Sequence, residues 1–182
     1  PPQRCARATA LRALRRAPAA PDAAPIDPGH VLALLRRAAP AFPPATRQLS
    51  KHACGNAPPV AVTLGAVRPH YSDRAVLSVA SRTHLGLCQM LTAFASQAIA
   101  RGEGGAVTHF TSVQVNRNCR MRMHQDGDNA GPSLAIALGD FEGGALWVDG
   151  RGELDLHDRW ATYDGNRSHC TRRFSGERWA LI

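Results

Sequence analysis

From Val107 to its end the chain breaks into short β-rich runs, at 107–115, 119–124, 133–138, 145–148, 153–157, 159–163, 169–174 and 177–182, parted by Gly, Asp and Asn. Runs so short bury their apolar faces only against one another. Eight of them at this spacing point to two packed antiparallel sheets, for which the jelly roll is one standard solution.

The residues upstream read differently. Leu87, Cys88, Leu91, Phe94, Ala95 and Ala98 recur at three- and four-residue steps, which predicts a helix from about Thr83 to Ala100, ended by Gly102. Asp27-Pro28 is an N-cap followed by proline at the first helical position, and Val31, Leu32, Leu34 and Leu35 supply an apolar stripe, so 28–38 is also expected to be helical. Between the helices, 60–64 and 75–79 look like buried strands. The expected class is α+β, with a jelly-roll (cupin-like) core and N-terminal helices packed on one sheet. The expected organisation is a basic segment and linker at 1–26, a lead-in at 27–104 and a core at 105–182, with 27–182 forming one structural domain.

At 182 residues there is room for one domain with a proper core. No run of about 18 apolar residues exists, so no membrane span is expected. The Arg-rich, acid-poor beginning has the composition of a transit peptide, yet the chain opens on Pro-Pro, which reads as a trimmed fragment. The five cysteines are odd in number and widely spaced, which favours a reducing, intracellular setting over a disulfide framework. The net charge of +8 invites an anionic partner such as nucleic acid. Its distribution weakens that argument: residues 1–52 carry nine Lys or Arg against two acids, whereas residues 106–182 carry nine against ten.

The chemistry concentrates in the β-rich half. His124-Gln125-Asp126 ends a strand-like run, and alternation points residues i and i+2 to the same side, so an imidazole and a carboxylate converge. His169, at the start of a later strand, is the third candidate ligand. Two histidines and a carboxylate on one face of a metal leave other positions open, which suits iron(II) binding an oxoacid and dioxygen together. Arg178 follows on the terminal strand, sharing a face with Ala180 and Ile182, and an arginine there wants an anion. Its fork matches a carboxylate such as the distal one of 2-oxoglutarate. His124, Asp126 and His169 are therefore the expected metal ligands and catalytic centre.

As a set, the H-x-D triplet, the distal His169 and the Gly176-Glu177-Arg178 strand resemble those of the double-stranded β-helix 2-oxoglutarate/iron oxygenases, over about residues 105–182. Within that superfamily, His124-Gln125-Asp126-Gly127-Asp128-Asn129 is similar to the H-x-D-x-x-N signature of the ten-eleven-translocation and J-binding-protein branch, which oxidises the methyl group of 5-methylpyrimidines in DNA. The runs 110–116, 131–133 and 139–147 resemble compact algal-type relatives. The resemblance implies iron(II) and 2-oxoglutarate as cofactors with dioxygen as co-substrate, leaves ascorbate open as an unusual co-substrate, and gives Asn129 a part in reading a flipped base. Residues 1–104 match no family pattern, and the zinc-binding regions of the animal enzymes are lacking.

Other residues carry two readings. Arg120 and Arg122 alternate with Met121 and Met123 and so share a face with His124. Arg120 could touch the oxoacid and Arg122 the substrate, or both could face solvent on an edge strand. Asn116 lies on that face too and could orient the oxoacid, although turn-forming asparagines are common. Arg172 joins Arg122 as a substrate contact on a basic rim with Arg117, Arg167 and Arg173. His157-Asp158 reads as a loop, because adjacent strand residues face opposite ways. The expected partner is nucleic acid, DNA before RNA, approached by a monomer that works inside the cell, with the nucleus as one location open to it. The competing functions are a prolyl-type protein or small-molecule hydroxylase and an inactive nucleic-acid-binding module.

Overall fold

The computed structural model describes residues 24–43, 58–69, 74–127 and 129–182. The expected basic segment therefore lies, up to residue 23, outside the described residues. Helix α1 (Pro28–Ala38) starts as its sequence dictates, with Asp27 accepting from His30 N at 2.8 Å and burying Val31 and Leu35. Helix α3 (Leu85–Ala100) buries Cys88, Leu91, Phe94, Ala95 and Ala98. It also buries Gln97, which accepts from Ile26 N (2.8 Å) and donates to Ala24 O (3.1 Å), tethering the chain that leads into α1.

Strand β1 (Val60–Val67) is longer than expected, and the run at 75–79 is not a strand throughout. Of that run, only β2 (Val76–Leu77) is a strand, and it pairs with β1. Ser78 then turns the chain, its hydroxyl accepting from Ser81 N at 3.1 Å to cap a short helix, α2 (Val79–Thr83). A serine inside a five-residue apolar run is a helix start, and here that signal outweighs strand propensity.

Nine strands follow: β3 (Ser112–Arg117), β4 (Ser133–Leu138), β5 (Phe141–Gly143), β6 (Leu146–Val148), β7 (Gly152–Leu154), β8 (Ala161–Tyr163), β9 (His169–Thr171), β10 (Phe174–Gly176) and β11 (Trp179–Leu181). The larger sheet runs β2-β1-β3-β11-β4-β8 with every pair antiparallel; the smaller pieces are β7-β6-β9 and β10-β5. The architecture is α+β and rich in antiparallel sheet.

Strand β4 shows how the layers are made. Ile136 and Leu138 point into an apolar cluster with Val31 and Leu35 of α1, Leu91 and Phe94 of α3, and Trp179 and Leu181 of β11. Ala135 and Ala137 point the other way, into a second cluster with Phe141, Leu146, Val148 and Tyr163. Alternation thus gives one strand two cores, a bulky one against the helices and a small-residue one between the sheets.

The expected strand at 119–124 is absent as a regular element. His124 and His169 exchange both backbone hydrogen bonds, at 3.0 and 2.9 Å, and Thr171 N donates to Met121 O at 3.0 Å. Three residue steps on one side therefore match two on the other. One residue is extra, as in a β-bulge, and strict alternation fails across 121–124.

Glu177 ties the layers together. It accepts from Arg36 Nε of α1 (2.7 Å) and from Arg117 of β3 (2.8 Å), while Arg117 also stacks 5.2 Å from the Trp179 ring. Partial burial pushes the Glu177 carboxyl up, but Arg36 and then Arg117 outweigh it and hold the group below its ordinary range. A carboxyl lowered by folding lends stability above its unfolded range and loses it as pH falls through its folded value. Glu177→Gln is expected to cost about 1 kcal/mol at pH 7 in urea unfolding, and the deficit should shrink toward zero in acid below the ordinary glutamate range. A pH-independent deficit would contradict this role.

Candidate metal centre and its cavity

His124, Asp126 and His169 come together: one ligand atom from each lies within 4.8 Å of the other two. His124 Nε2 is 3.5 Å from Asp126 Oδ1, and His169 Nε2 is 3.8 Å from Asp126 Oδ2. The backbone puts them there, since the 121–126 segment runs antiparallel to β9 and Asp126 N–H donates to Gly165 O at 2.8 Å. His169 is 3% exposed, while the other two side chains are about one-third exposed, so the cluster sits where the cavity meets solvent.

Both imidazoles are oriented in the same way. His124 Nδ1 lies 2.7 Å from Arg122 O, and His169 Nδ1 lies 2.9 Å from Arg167 O. A carbonyl only accepts, so each Nδ1 carries a proton and each Nε2 is the nitrogen turned toward the cluster. Two imidazoles held in orientation from behind and a nearby carboxylate form a donor set for a divalent cation.

The cluster opens on a cavity of about 610 Å³ that Arg178 also lines. Arg178 is 4% exposed, and its guanidinium faces the rings of Phe141 (5.5 Å) and Phe174 (5.6 Å). Its Nε has no hydrogen-bond partner, and among the described residues no carboxylate pairs with it. Burial lowers its pKa to about 10, so the guanidinium is charged at neutral pH. Gly144 makes room for it: a Cβ there would stand 2.9 Å from Arg178 Nε, and the φ of 73° suits glycine. The backbone is pinned by Asn118, itself 1% exposed at φ 52°, whose Oδ1 accepts from Arg178 N at 2.9 Å. A buried, unpaired cation beside a metal-type donor set fits a ligand that brings an anion to the arginine and donor atoms to a metal.

Asn116 and Asn129 line this cavity as well. Asn116 belongs to a polar row with Thr63 and Gln114, linked by hydrogen bonds from Thr63 Oγ1 to Gln114 Oε1 and from Gln114 Nε2 to Asn116 Oδ1. Arg120 and Arg172 lie elsewhere, in a shallow depression with Arg173 and Glu153. Arg172 is paired with Glu153 at 2.7 Å and stacks over Trp147. Arg122 is exposed and lines neither. The extra residue at 121–124 explains this: it is Met121 that shares the cavity with His124, where a strict two-residue period puts Arg120 and Arg122.

Sequence reasoning missed Met121, Thr63, Gln114 and Tyr163. Tyr163 meets the His169 ring edge-on at 5.2 Å, and burial, with Asp126 nearby, pushes its hydroxyl up to about 12. Only its place at the end of a short apolar run could have marked it.

No protein-family model matches the chain, and no curated protein does. Among solved structures it is similar to the crystal structure of an oxidoreductase of the 2OG-Fe(II) oxygenase family from Burkholderia pseudomallei, at 20% identity and a TM-score of 0.55, over 84% of this chain and 75% of that one. The likeness shows that the two share a fold.

Arg178→Met keeps the apolar contact with Phe141 and Phe174 and removes the charge. The substitution is expected to raise the stability of the ligand-free protein by about 1–3 kcal/mol in urea unfolding. Lower stability would show that the guanidinium is already compensated.

Proposed function

We propose that the chain is an iron(II)- and 2-oxoglutarate-dependent oxygenase. The observation that carries this reading is that two imidazoles, a carboxylate and a buried arginine whose Nε is unbonded line one cavity. His124 Nε2, Asp126 and His169 Nε2 would hold the iron, and Arg178 would take the distal carboxylate of 2-oxoglutarate through its fork. Asn116 offers an amide on the same wall. Iron(II) in such a site supplies the dioxygen chemistry that couples decarboxylation of 2-oxoglutarate to succinate with insertion of one oxygen atom into a substrate C–H bond. The protein's share is positioning. Carbonyls behind each histidine fix the lone pairs, Ala135 and Ala180 keep the inter-sheet space open, and the apolar walls limit water.

For the substrate we propose the methyl group of a 5-methylpyrimidine in nucleic acid, DNA before RNA. The string His124-Gln125-Asp126-Gly127-Asp128-Asn129 supports it, as do the exposed Arg120, Arg122, Arg172 and Arg173 near the metal-type site in sequence. A base would have to leave the stack to reach the cavity, and exposed arginines can hold the backbone while it does. In this reading the monomer works inside the cell. Among the described residues no helix is long and apolar enough to cross a membrane.

Incubating the protein with iron(II), 2-oxoglutarate and an oligonucleotide bearing 5-methylcytosine should yield succinate and a 5-hydroxymethyl product by mass spectrometry, with both lost in His124→Ala. Succinate that rises with a peptide or small molecule but not with the oligonucleotide would overturn the substrate and leave the oxygenase. No iron-dependent succinate with any of them would overturn both.

A further inference from the structure

The side chain of Asn129 is committed before any substrate arrives. Its Nδ2 donates to Asp126 Oδ2 at 3.3 Å and to Ser133 Oγ at 3.1 Å, and an amide nitrogen has only two hydrogens. Turning the amide over would set its oxygen against the Asp126 carboxylate, two acceptors face to face, so chemistry fixes its orientation. The surroundings lock the arrangement. Asn129 N–H donates to Asp126 O at 3.3 Å, Asn166 Nδ2 donates to Asn129 O at 3.1 Å, and Ser133 is bonded in turn to Tyr163. Gly165 lies so close that an added Cβ would run into both Asn129 Nδ2 and Asp126 Oδ2. Among the described residues, none donates to Asn129 Oδ1.

We propose that Asn129 is a positioning residue for the carboxylate of the metal centre: it holds Asp126 Oδ2, and with it the plane of the carboxylate, so that of its own side chain only Oδ1 is left unbonded. That atom accepts and cannot donate. The inference rests on His124, Asp126 and His169 being metal ligands.

Cobalt(II) alone is the probe, titrated into the full chain and into Asn129→Ala, Asn129→Leu and His124→Ala. Leucine fills a similar volume without donors, and each variant is measured below its own melting midpoint so that folded protein is read. Two quantities are followed: affinity by calorimetry, and the visible d–d absorption, which reports ligand geometry and which a merely structural role would not move. Both Asn129 variants are expected to bind cobalt about 10- to 100-fold more weakly, with altered d–d bands. Wild-type affinity and spectrum in both would overturn this proposal and leave the metal site standing. A wild-type chain that takes up no cobalt would overturn the metal site and the proposal with it.

Discussion

Arg178 is a cation where water scarcely reaches, 4% exposed against two phenylalanine rings with its Nε unbonded. Taking an ion out of water costs several kcal/mol even after relaxation, and a protein carries that cost only where something else holds the residue in place. Here the neighbours do so. Asn118 accepts from its backbone N–H, β11 pairs with β3 on one side and β4 on the other, and Glu177, one residue earlier, is bound by Arg36 and Arg117. The apolar cluster formed by Trp179, Leu181 and the helices fixes the strand that begins just after the arginine. The helical lead-in thus serves the cavity without contributing a charged group to it.

The other polar pole of the cavity is built by the opposite device. His124 and Asp126 stand on a segment that pairs irregularly with β9, partly exposed and aimed by hydrogen bonds from behind rather than by packing. A regular strand would have brought Arg120 and Arg122 onto the same wall and given the donor set two cationic neighbours, which oppose a metal ion. The bulge exchanges them for Met121. Charge is thereby sorted, with a site for a cation at the carboxylate, a site for an anion at the arginine, and small side chains between.

Much of this was legible in the sequence wherever a local signal was strong. Asp27-Pro28 fixed the start of α1, and the three- and four-residue recurrence of Leu87, Leu91, Phe94 and Ala98 marked α3. His124 and Asp126 do converge with His169, and Arg178, Ala180 and Ile182 line one cavity. Alternation failed at 119–124 because the pairing partner, 45 residues away, decides where an extra residue is absorbed. Ser78 ended a strand that apolar content alone would have prolonged. The hydrogen bonds of Asn129 were illegible for another reason: Ser133 and Gly165, which complete its surroundings, are brought in by chain folding, not by the motif.

The central claim is that a divalent metal and a dicarboxylate share one cavity, joined at opposite ends to the histidine-carboxylate cluster and to Arg178. Anomalous X-ray scattering from crystals grown anaerobically with iron(II) and 2-oxoglutarate tests it most directly. One iron peak bonded to His124 Nε2, Asp126 and His169 Nε2, with density for a dicarboxylate running from it to the Arg178 guanidinium, is the predicted result. An iron peak elsewhere, or a dicarboxylate that does not reach Arg178, would contradict the account.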